Sequence, residues 1–271
     1  MNQDAIATGN EALRAMWMTG DFGAFAAYTA EGDDKIFEQA RIRPGERVLD
    51  AACGAGVFAL RAARRGADVV GLDIATNLIA QARERARAAG QTIQFDEGDI
   101  ESMPYDDASF DTVISQFGLI FTPRPDVAVS EVARVLKPEG RIILFCWTPM
   151  SWVGRLMQVV GRHAPPPPNG VSPLAWGVEE AVQARLSARF SAFSMTRDVY
   201  PMRFPFGPNA AMDFFLHNMG PIGRAYSALQ RLGEEEALRN DLERFFMESN
   251  HGQADAWQVE SEYLRIEARK R

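Results

Sequence analysis

Val48-Leu49-Asp50-Ala51-Ala52-Cys53-Gly54-Ala55-Gly56 is the stretch of sequence that decides the fold. Its apolar residues predict a buried strand, and an aspartate lies near the end of that strand. The Gly-x-Gly turn that follows lets the backbone approach a ligand closely. In open α/β sheets, ligands bind outside the carboxyl ends of the strands, so this turn is a candidate binding loop.

Two further segments repeat the pattern of an apolar strand that ends in an acid. Val69-Val70-Gly71-Leu72 leads into Asp73, and the segment that begins at Ile93 ends in Asp99. Three acids at the ends of three successive strands, with a glycine turn after the first, predict a pocket. The ligand that suits such a pocket carries an amine, a ribose and an adenine.

Two ligand classes fit the glycine turn. Gly54 to Ala59 also satisfies the G-x-G-x-x-[GA] pattern of units that bind NAD or FAD, and Asp73 lies near the usual distance for a ribose-binding acid. Asp50 separates the two classes, because a carboxylate beside the helix N-terminus would repel the pyrophosphate of a dinucleotide. S-adenosylmethionine has no phosphate but carries an ammonium group and a sulfonium cation. The sequence therefore favours S-adenosylmethionine.

Composition and charge narrow the classes of function. The chain has 271 residues, of which 46% are hydrophobic and 24% charged, and its formal net charge is −7. This acidic balance argues against general binding to nucleic acid or to an anionic membrane. No apolar run approaches the ~20 residues of a membrane span. Met1-Asn2-Gln3-Asp4 lacks the basic start and apolar stretch of a signal peptide, so we expect a cytoplasmic protein.

Cysteine and histidine give no indication of a metal site. Cys53 and Cys146 are the two cysteines and lie at the ends of predicted strands, which predicts buried free thiols. The three histidines, His163, His217 and His251, lie far apart in sequence and lack the spacing of metal ligands.

The chain divides into three predicted parts. Residues 1–40 form a helical arm, residues 41–149 an α/β core, and residues 150–271 helical cap insertions together with the last two strands. Strands and helices that alternate along the core predict a parallel sheet covered on both faces. The predicted strands are 47–53, 68–74, 92–97, 110–116, 140–147, about 192–204 and about 260–269.

Capping residues and prolines predict where helices begin and end. Thr76 is expected to cap the helix after the second strand, and the helix before Pro138 should end ahead of that residue. Further helices are expected within 150–190 and 208–248. The four-proline loop at 165–170 is expected to be a rigid spacer rather than a recognition motif.

From residue 48 to 145 the chain resembles the class I S-adenosylmethionine-dependent methyltransferases. It looks most like the broad small-molecule group that includes ubiquinone- and menaquinone-biosynthesis-type enzymes. The matching motifs are Val48 to Gly56, Val70-Gly71-Leu72-Asp73-Ile74, Gly98-Asp99-Ile100-Glu101-Ser102-Met103-Pro104 with Ser109-Phe110-Asp111, and Arg134-Val135-Leu136-Lys137-Pro138-Glu139-Gly140-Arg141. The chain departs from the family at Ala52 and Glu139, where glycine is common.

The resemblance implies an α/β fold with a Rossmann-like, doubly wound, seven-stranded sheet. The last strand should be antiparallel, and a helical cap should cover the carboxyl ends of the strands.

Five of the predicted cofactor-binding residues belong to the first two strand ends. Asp50 is expected to hold the cofactor's ammonium group, directly or through water, and the alternative is a structural acid that accepts loop amides. Ala52, Gly54 and Gly56 form the turn itself, in which a small residue at position 52 preserves close approach. Asp73 is expected to bind both ribose hydroxyls, because one carboxylate can accept two hydrogen bonds.

Five more residues complete the predicted cofactor site. Asp99 is expected to accept from the adenine amino group, unless it only forms a turn, while the backbone amide of Ile100 donates to the ring. Ile74 covers one adenine face or is an ordinary core residue. Gln116 should face the sulfonium, and Tyr28 either reaches the methionine carboxylate from the helical arm or simply packs there.

The acceptor side of the site is less well defined by the sequence. Methyl transfer depends mainly on orientation and exclusion of water, and an oxygen or nitrogen acceptor must lose its proton at or before transfer. His217 is the candidate catalytic base because it follows the aromatic stretch Met212-Asp213-Phe214-Phe215-Leu216. The alternative for a lone histidine on an apolar helix is a packed or surface residue.

We therefore expect a methyltransferase that uses S-adenosyl-L-methionine and acts on a small, partly apolar molecule, with oxygen as the first choice of acceptor atom and nitrogen as the second. Two rival classes are a catalytically silent S-adenosylmethionine-binding protein and a NAD-dependent oxidoreductase. Nucleic-acid methylation is disfavoured, since Ser115-Gln116-Phe117-Gly118 is not an Asn/Asp-Pro-Pro-Tyr type motif. We expect no nucleic-acid or membrane partner, and the sequence leaves monomer and homo-oligomer open.

Overall fold

Seven strands form one sheet in the part of the chain that the computed structural model describes, residues 3–165 and 170–271. The strand order is β3-β2-β1-β4-β5-β7-β6. Strands β1 to β5 are parallel to one another, whereas β7 runs antiparallel to both β5 and β6. The strands are β1 (Arg47–Ala51), β2 (Asp68–Asp73), β3 (Gln94–Glu97), β4 (Phe110–Gln116), β5 (Leu136–Trp147), β6 (Phe190–Phe204) and β7 (Trp257–Lys270).

Helices lie in the connections between the strands and in the segment before β1. They are α1 (Gln3–Trp17), α2 (Ala30–Ala40), α3 (Val57–Arg64), α4 (Thr76–Ala88), α5 (Pro125–Val135), α6 (Trp152–His163), α7 (Glu179–Leu186), α8 (Pro208–Asn218), α9 (Gly220–Gln230) and α10 (Glu235–Glu248). Short 3₁₀ turns cover Phe22–Ala27, Leu119–Phe121 and Pro173–Gly177. The doubly wound sheet with an antiparallel last strand confirms the predicted fold class.

The strand boundaries agree with the predicted ranges to within a few residues, and β5 differs most. It begins at Leu136 rather than at residue 140. The register against β4 shifts between Phe110 and Thr112, and Glu139 takes a left-handed φ of 60° there. The segment around Glu139 is thus an irregularity within β5. Of the proline loop, residues 166–169 lie outside the described residues.

Burial along the sheet explains why the parallel strands are almost continuously apolar. Every residue of β1 after Arg47 is buried, as is every residue of β2 after Asp68, because helices cover both faces. Both cysteines are buried free thiols, as predicted.

An aromatic cluster joins the later helices to the antiparallel end of the sheet. The Trp152 ring of α6 lies 5.0 Å from Trp257 of β7 and 5.4 Å from Phe215 of α8, between ring centroids. The Phe246 ring of α10 stacks on Trp257 at 5.1 Å. All four side chains are at most 2% exposed, so this cluster is a continuation of the core.

The amino-terminal arm contacts the helices that are inserted between β6 and β7. A guanidinium nitrogen of Arg224 on α9 donates to the carbonyl of Ala12 at 2.8 Å. The backbone amide of Asp21 donates to Oδ1 of Asn218 at 3.3 Å. We call α1, the turn Phe22–Ala27, α8 and α9 the roof. In the described residues, none of the helices combines the length and apolarity of a membrane span.

Candidate active site

A cavity of about 210 Å³ lies beneath the roof at the carboxyl ends of β1, β2 and β4. Most of the residues that the sequence analysis predicted to bind the cofactor line this cavity. Those that line it are Asp50, Ala52, Gly54, Asp73, Ile74, Asp99, Ile100 and Gln116. Gly56, Tyr28 and His217 are not among the lining residues.

The loop after β1 takes its shape from three left-handed residues. Ala52, Gly54 and Gly56 have φ values of 61°, 53° and 75°. Alanine in this conformation is strained by roughly 1–2 kcal/mol, because its Cβ crowds the following carbonyl. A Cβ on Gly118 would lie 2.3 Å from the Cβ of Ala52, so glycine at 118 makes room for it.

Gly56 serves packing rather than the cavity. It precedes α3, and a Cβ there would lie 3.0 Å from the ring of Phe95 and 2.9 Å from the Cβ of Ala82. Glycine at this position therefore lets the start of α3 approach β3 and α4, and it supports the loop from behind.

Asp50 is a buried acid without its full set of partners. The side chain is 1% exposed, and Oδ2 has no hydrogen-bond partner among the described residues. Burial and the charge of Asp73 raise the pKa of Asp50 from its ordinary 3.8 to about 7. Because a buried unpaired carboxylate is costly, this atom has a strong preference for a cationic or hydrogen-bonding ligand.

Asp73 connects the end of β2 to the glycine loop. Its Oδ2 accepts the amide of Gly54 at 2.8 Å and its Oδ1 accepts the amide of Ala75 at 2.8 Å. Burial raises its pKa. The carboxylate keeps lone pairs for further donors, since two oxygens offer about four acceptor positions.

The predicted helix cap at Thr76 is wrong. Helix α4 begins at Thr76, the residue at the cap position is Ala75, and no side chain there makes a capping bond. The Thr76 hydroxyl contacts the sulfur of Met18 instead. The carboxylate of Asp73 supplies the local bond through the Ala75 amide, because it reaches the helix start from the strand end.

Asp99 forms a turn and also lines the cavity. Its Oδ1 accepts the amide of Glu101 at 2.8 Å, and its Oδ2 accepts from the side-chain nitrogen of Asn10 on α1. An arm residue thus bonds the acid that the sequence assigned to adenine. Ile74, half-buried, and Ile100, buried, line the cavity with it.

Gln116 donates a hydrogen bond to Asp33, an acid that the sequence analysis did not predict as a site residue. Its side-chain nitrogen donates to Oδ1 of Asp33 at 2.7 Å, and the Tyr200 hydroxyl donates to the same oxygen at 2.6 Å. The Thr29 hydroxyl donates to Oδ2 at 3.2 Å. Burial raises the pKa of Asp33.

Asp33 lines the cavity together with Tyr200 and Thr29. In sequence it is one acid of Glu31-Gly32-Asp33-Asp34, which resembles a solvated helix start, and no local pattern distinguishes its buried side chain from the exposed Asp34.

Tyr28 and His217 lie away from this centre. Tyr28 is half-buried, and its ring packs against those of Phe204 and Phe214 at 4.8 and 5.3 Å. His217 is exposed, with Nδ1 2.6 Å from the carbonyl of Asp213. The inward face of α8 carries other residues, namely Ala211, Met212, Phe215 and Leu216. The structure therefore does not bring His217 to the cavity.

The charged side chains that line the described part of the cavity are all acidic. Four aspartates line it, Asp33, Asp50, Asp73 and Asp99, and its lining within the described residues contains no lysine, arginine or histidine. No group of three potential metal ligands occurs in the described parts of the chain. Such a cavity attracts a cation and repels a phosphate. The orphaned Asp50 oxygen and the uniform sign both fit a ligand with an ammonium and a sulfonium.

Comparisons with known proteins agree with this geometry. Residues 49–144 match the model of a methyltransferase domain. Rv1405c of Mycobacterium tuberculosis, an uncharacterized protein, is 32% identical over 95% of this chain and 94% of its own. The demethylmenaquinone methyltransferase of Clavibacter sepedonicus is 36% identical over 46% of this chain and 53% of its own. The crystal structure of YcgJ from Bacillus subtilis, 22% identical, superposes with a TM-score of 0.58 over 89% of this chain and 99% of that one.

Fold, site and relatives define one class of protein. The chain contains a methyltransferase domain at residues 49–144, within a Rossmann-like fold that it shares with YcgJ. It is similar to Rv1405c over nearly its whole length, and its similarity to the menaquinone-type enzyme covers about half of that protein.

Proposed function

We propose that this chain transfers a methyl group from S-adenosylmethionine to a small, partly apolar molecule, and that the acceptor atom is a hydroxyl oxygen. The observation that carries the cofactor assignment is the buried Asp50 oxygen without a partner, in a cavity whose four acids face no basic side chain among the described residues. An ammonium group would supply the missing donor.

The residues of the chain bind and orient. Asp50 would hold the ammonium, Asp73 the ribose hydroxyls, and Asp99 with Ile100 the adenine. When bound, the cofactor supplies an electrophilic methyl group on its sulfonium. The apolar lining excludes water, and the small cavity holds the acceptor close, so orientation supplies most of the rate.

The acceptor class follows from the charge and the lining of the cavity. The charged side chains on the described lining of the cavity are all acids, which disfavours an anionic acceptor such as a carboxylate or a phosphate. The aromatic lining, with Phe25, Phe117, Phe121 and Trp147, favours an apolar or aromatic molecule. NAD is disfavoured by the same charges, because its pyrophosphate would have no cationic partner on the lining.

Calorimetry with S-adenosylhomocysteine and with NADH tests the cofactor assignment. We expect S-adenosylhomocysteine to bind with a micromolar Kd, on the order of −8 kcal/mol, and NADH not to bind. Binding of NADH without a response to S-adenosylhomocysteine would overturn the assignment. A screen of phenols, quinols, amines, thiols and carboxylates with labelled S-adenosylmethionine then tests the acceptor class. Label in hydroxyl compounds but not in carboxylates is the expected result, and a protein that binds cofactor but labels none is a silent binder.

A further inference from the structure

Asp33 is a buried acid that the cofactor assignment does not use. It lies on α2, is 5% exposed, and lines the same cavity as the three acids assigned to the cofactor. Gln116 at the end of β4 and Tyr200 on β6 both donate to its Oδ1. Within the described residues, Oδ2 accepts only from Thr29, at 3.2 Å, so a lone pair remains for one more donor.

The contact between Asp33 and Tyr200 depends on a glycine. A Cβ on Gly32 would lie 2.4 Å from the Tyr200 ring, although the backbone of Gly32 is ordinary helix. Glycine at this position allows the ring to lie against α2, where its hydroxyl reaches Asp33 at 2.6 Å. A phenolic hydroxyl therefore already fits against one oxygen of this carboxylate.

A purely structural role does not account for the burial of this acid. Helix α2 is already joined to β6 by Lys35 and Gln39, which contact the two oxygens of Asp198 at 2.5 and 2.7 Å. Those side chains are partly exposed, where an ion pair needs little desolvation. A second anchor built from a buried carboxylate would be a costly way to attach the same helix.

The wall beside Asp33 is aromatic and strained. Phe117 follows Gln116 directly and has a φ of 59°, a conformation that costs a bulky residue about 1–3 kcal/mol. This conformation stacks its ring on Trp147 with a centroid distance of 3.6 Å, and Tyr200 meets both rings edge-on. A flat, apolar ring with one hydroxyl fits such a wall.

We propose that Asp33 is the catalytic base of this site and that its substrate is a neutral phenol or quinol, an inference that rests on the proposed function. The acceptor hydroxyl donates its proton to Oδ2 of Asp33. Its oxygen forms the new O–C bond with a lone pair as the methyl leaves sulfur, and the electrons of the broken S–C bond stay on sulfur. Tyr200 and Gln116 are positioning residues that hold the carboxylate through Oδ1.

The first test compares Asp33→Asn with the parent and with a control on the same helix. Glu38→Gln is the control, because Glu38 is exposed and pairs with Arg65 outside the cavity. All three proteins should bind S-adenosylhomocysteine with equal affinity, which shows that each is folded. With 4-methylphenol and labelled S-adenosylmethionine, the kcat of Asp33→Asn should be roughly 10²–10⁴-fold lower than that of the parent. The kcat of Glu38→Gln should equal that of the parent.

A second acceptor separates proton removal from simple loss of structure. At about pH 6, 4-nitrophenol is mostly the neutral phenol but is a much stronger acid than 4-methylphenol, so it depends less on a base and Asp33→Asn should lower its kcat by less than about tenfold. An equal loss for both phenols would assign Asp33 a structural role and overturn the proposal. Cofactor binding without methylation of any phenol would overturn the acceptor class alone, whereas absence of cofactor binding would overturn the proposed function.

The pH profile provides a third measurement. The titratable or charged groups that act on Asp33 are Tyr200 on β6 and Arg61 on α3, while Gln116 and Thr29 are neutral donors. The kcat of the parent should rise with pH as Asp33 ionises. Tyr200→Phe removes a donor to the carboxylate, so this rise should move to higher pH; in Asp33→Asn it should disappear. A rise unchanged in Asp33→Asn would belong to another group and contradict the assignment.

Discussion

Oδ2 of Asp50 has no hydrogen-bond partner among the described residues. We therefore predict that removing the charge of Asp50 stabilises the unliganded protein but weakens cofactor binding. The pKa of Asp50 lies at about 7 in the folded protein against an ordinary 3.8. A difference of about three pH units corresponds to about 4 kcal/mol, the cost of ionising this group in the fold without a ligand. Asp50→Asn keeps the shape of the side chain and removes that charge.

The sign of the pH dependence follows from linkage. Between about pH 4 and about pH 7 the folded protein retains a proton that the unfolded chain has released, so the unfolding free energy falls as the pH rises through this window. The contribution of Asp50 is fully present below about pH 4 and lost above about pH 7. Between about pH 8 and about pH 5 the parent should gain about 2–3 kcal/mol from this group, and Asp50→Asn should lack that gain.

Urea unfolding, monitored by tryptophan fluorescence, gives the free energy of unfolding of both proteins at the two pH values. At about pH 8 the variant should be more stable than the parent by about 1–3 kcal/mol, since the buried amide retains part of the desolvation cost. The same variant should bind S-adenosylhomocysteine roughly 10- to 100-fold more weakly, because its amide forms no ion pair with the ammonium.

The matched control is Asp68→Asn at the opposite end of β2, where the side chain is 59% exposed and pairs with Arg47. It should follow the parent at both pH values, since exposed ion pairs contribute little. If Asp50→Asn shows the same change between the two pH values as the parent, Asp50 is ionised in the folded protein. Burial would then not suffice to keep this carboxyl protonated at neutral pH.

Three further predictions concern the loop, the ribose acid and the roof. Asp73→Asn should weaken S-adenosylhomocysteine binding by roughly 2–4 kcal/mol in calorimetry, and unchanged affinity would make Asp73 purely structural. Ala52→Gly relieves the left-handed alanine and should raise the unfolding free energy in urea by up to about 1 kcal/mol; a loss of stability would show that residue 52 is unstrained. Because Asn10 bonds Asp99, hydrogen exchange in residues 10–30 and 208–225 should slow when S-adenosylhomocysteine binds, and identical exchange would exclude ordering of the roof.

The sequence predicted that the three strand-end acids would lie together, because their convergence follows from local pattern. Asp50, Asp73 and Asp99 each follow an apolar run, and the carboxyl ends of parallel strands meet at one edge of a sheet. Once the runs were recognised as strands, the acids had to converge. The antiparallel direction of the last strand followed from the resemblance to a known family, not from periodicity.

Only the tertiary structure shows which side chains that are distant in sequence contact one another. Asp33 and Asp34 are adjacent in sequence, yet one is buried against Tyr200, 167 residues away, and the other is exposed. His217 is near buried aromatics in sequence but lies on the outward side of α8. Helical rotation of 100° per residue and the packing of distant strands determine these orientations, and neither is encoded in a local motif. The backbone of Ala52 is a similar case, since its left-handed conformation depends on the close approach of Gly118.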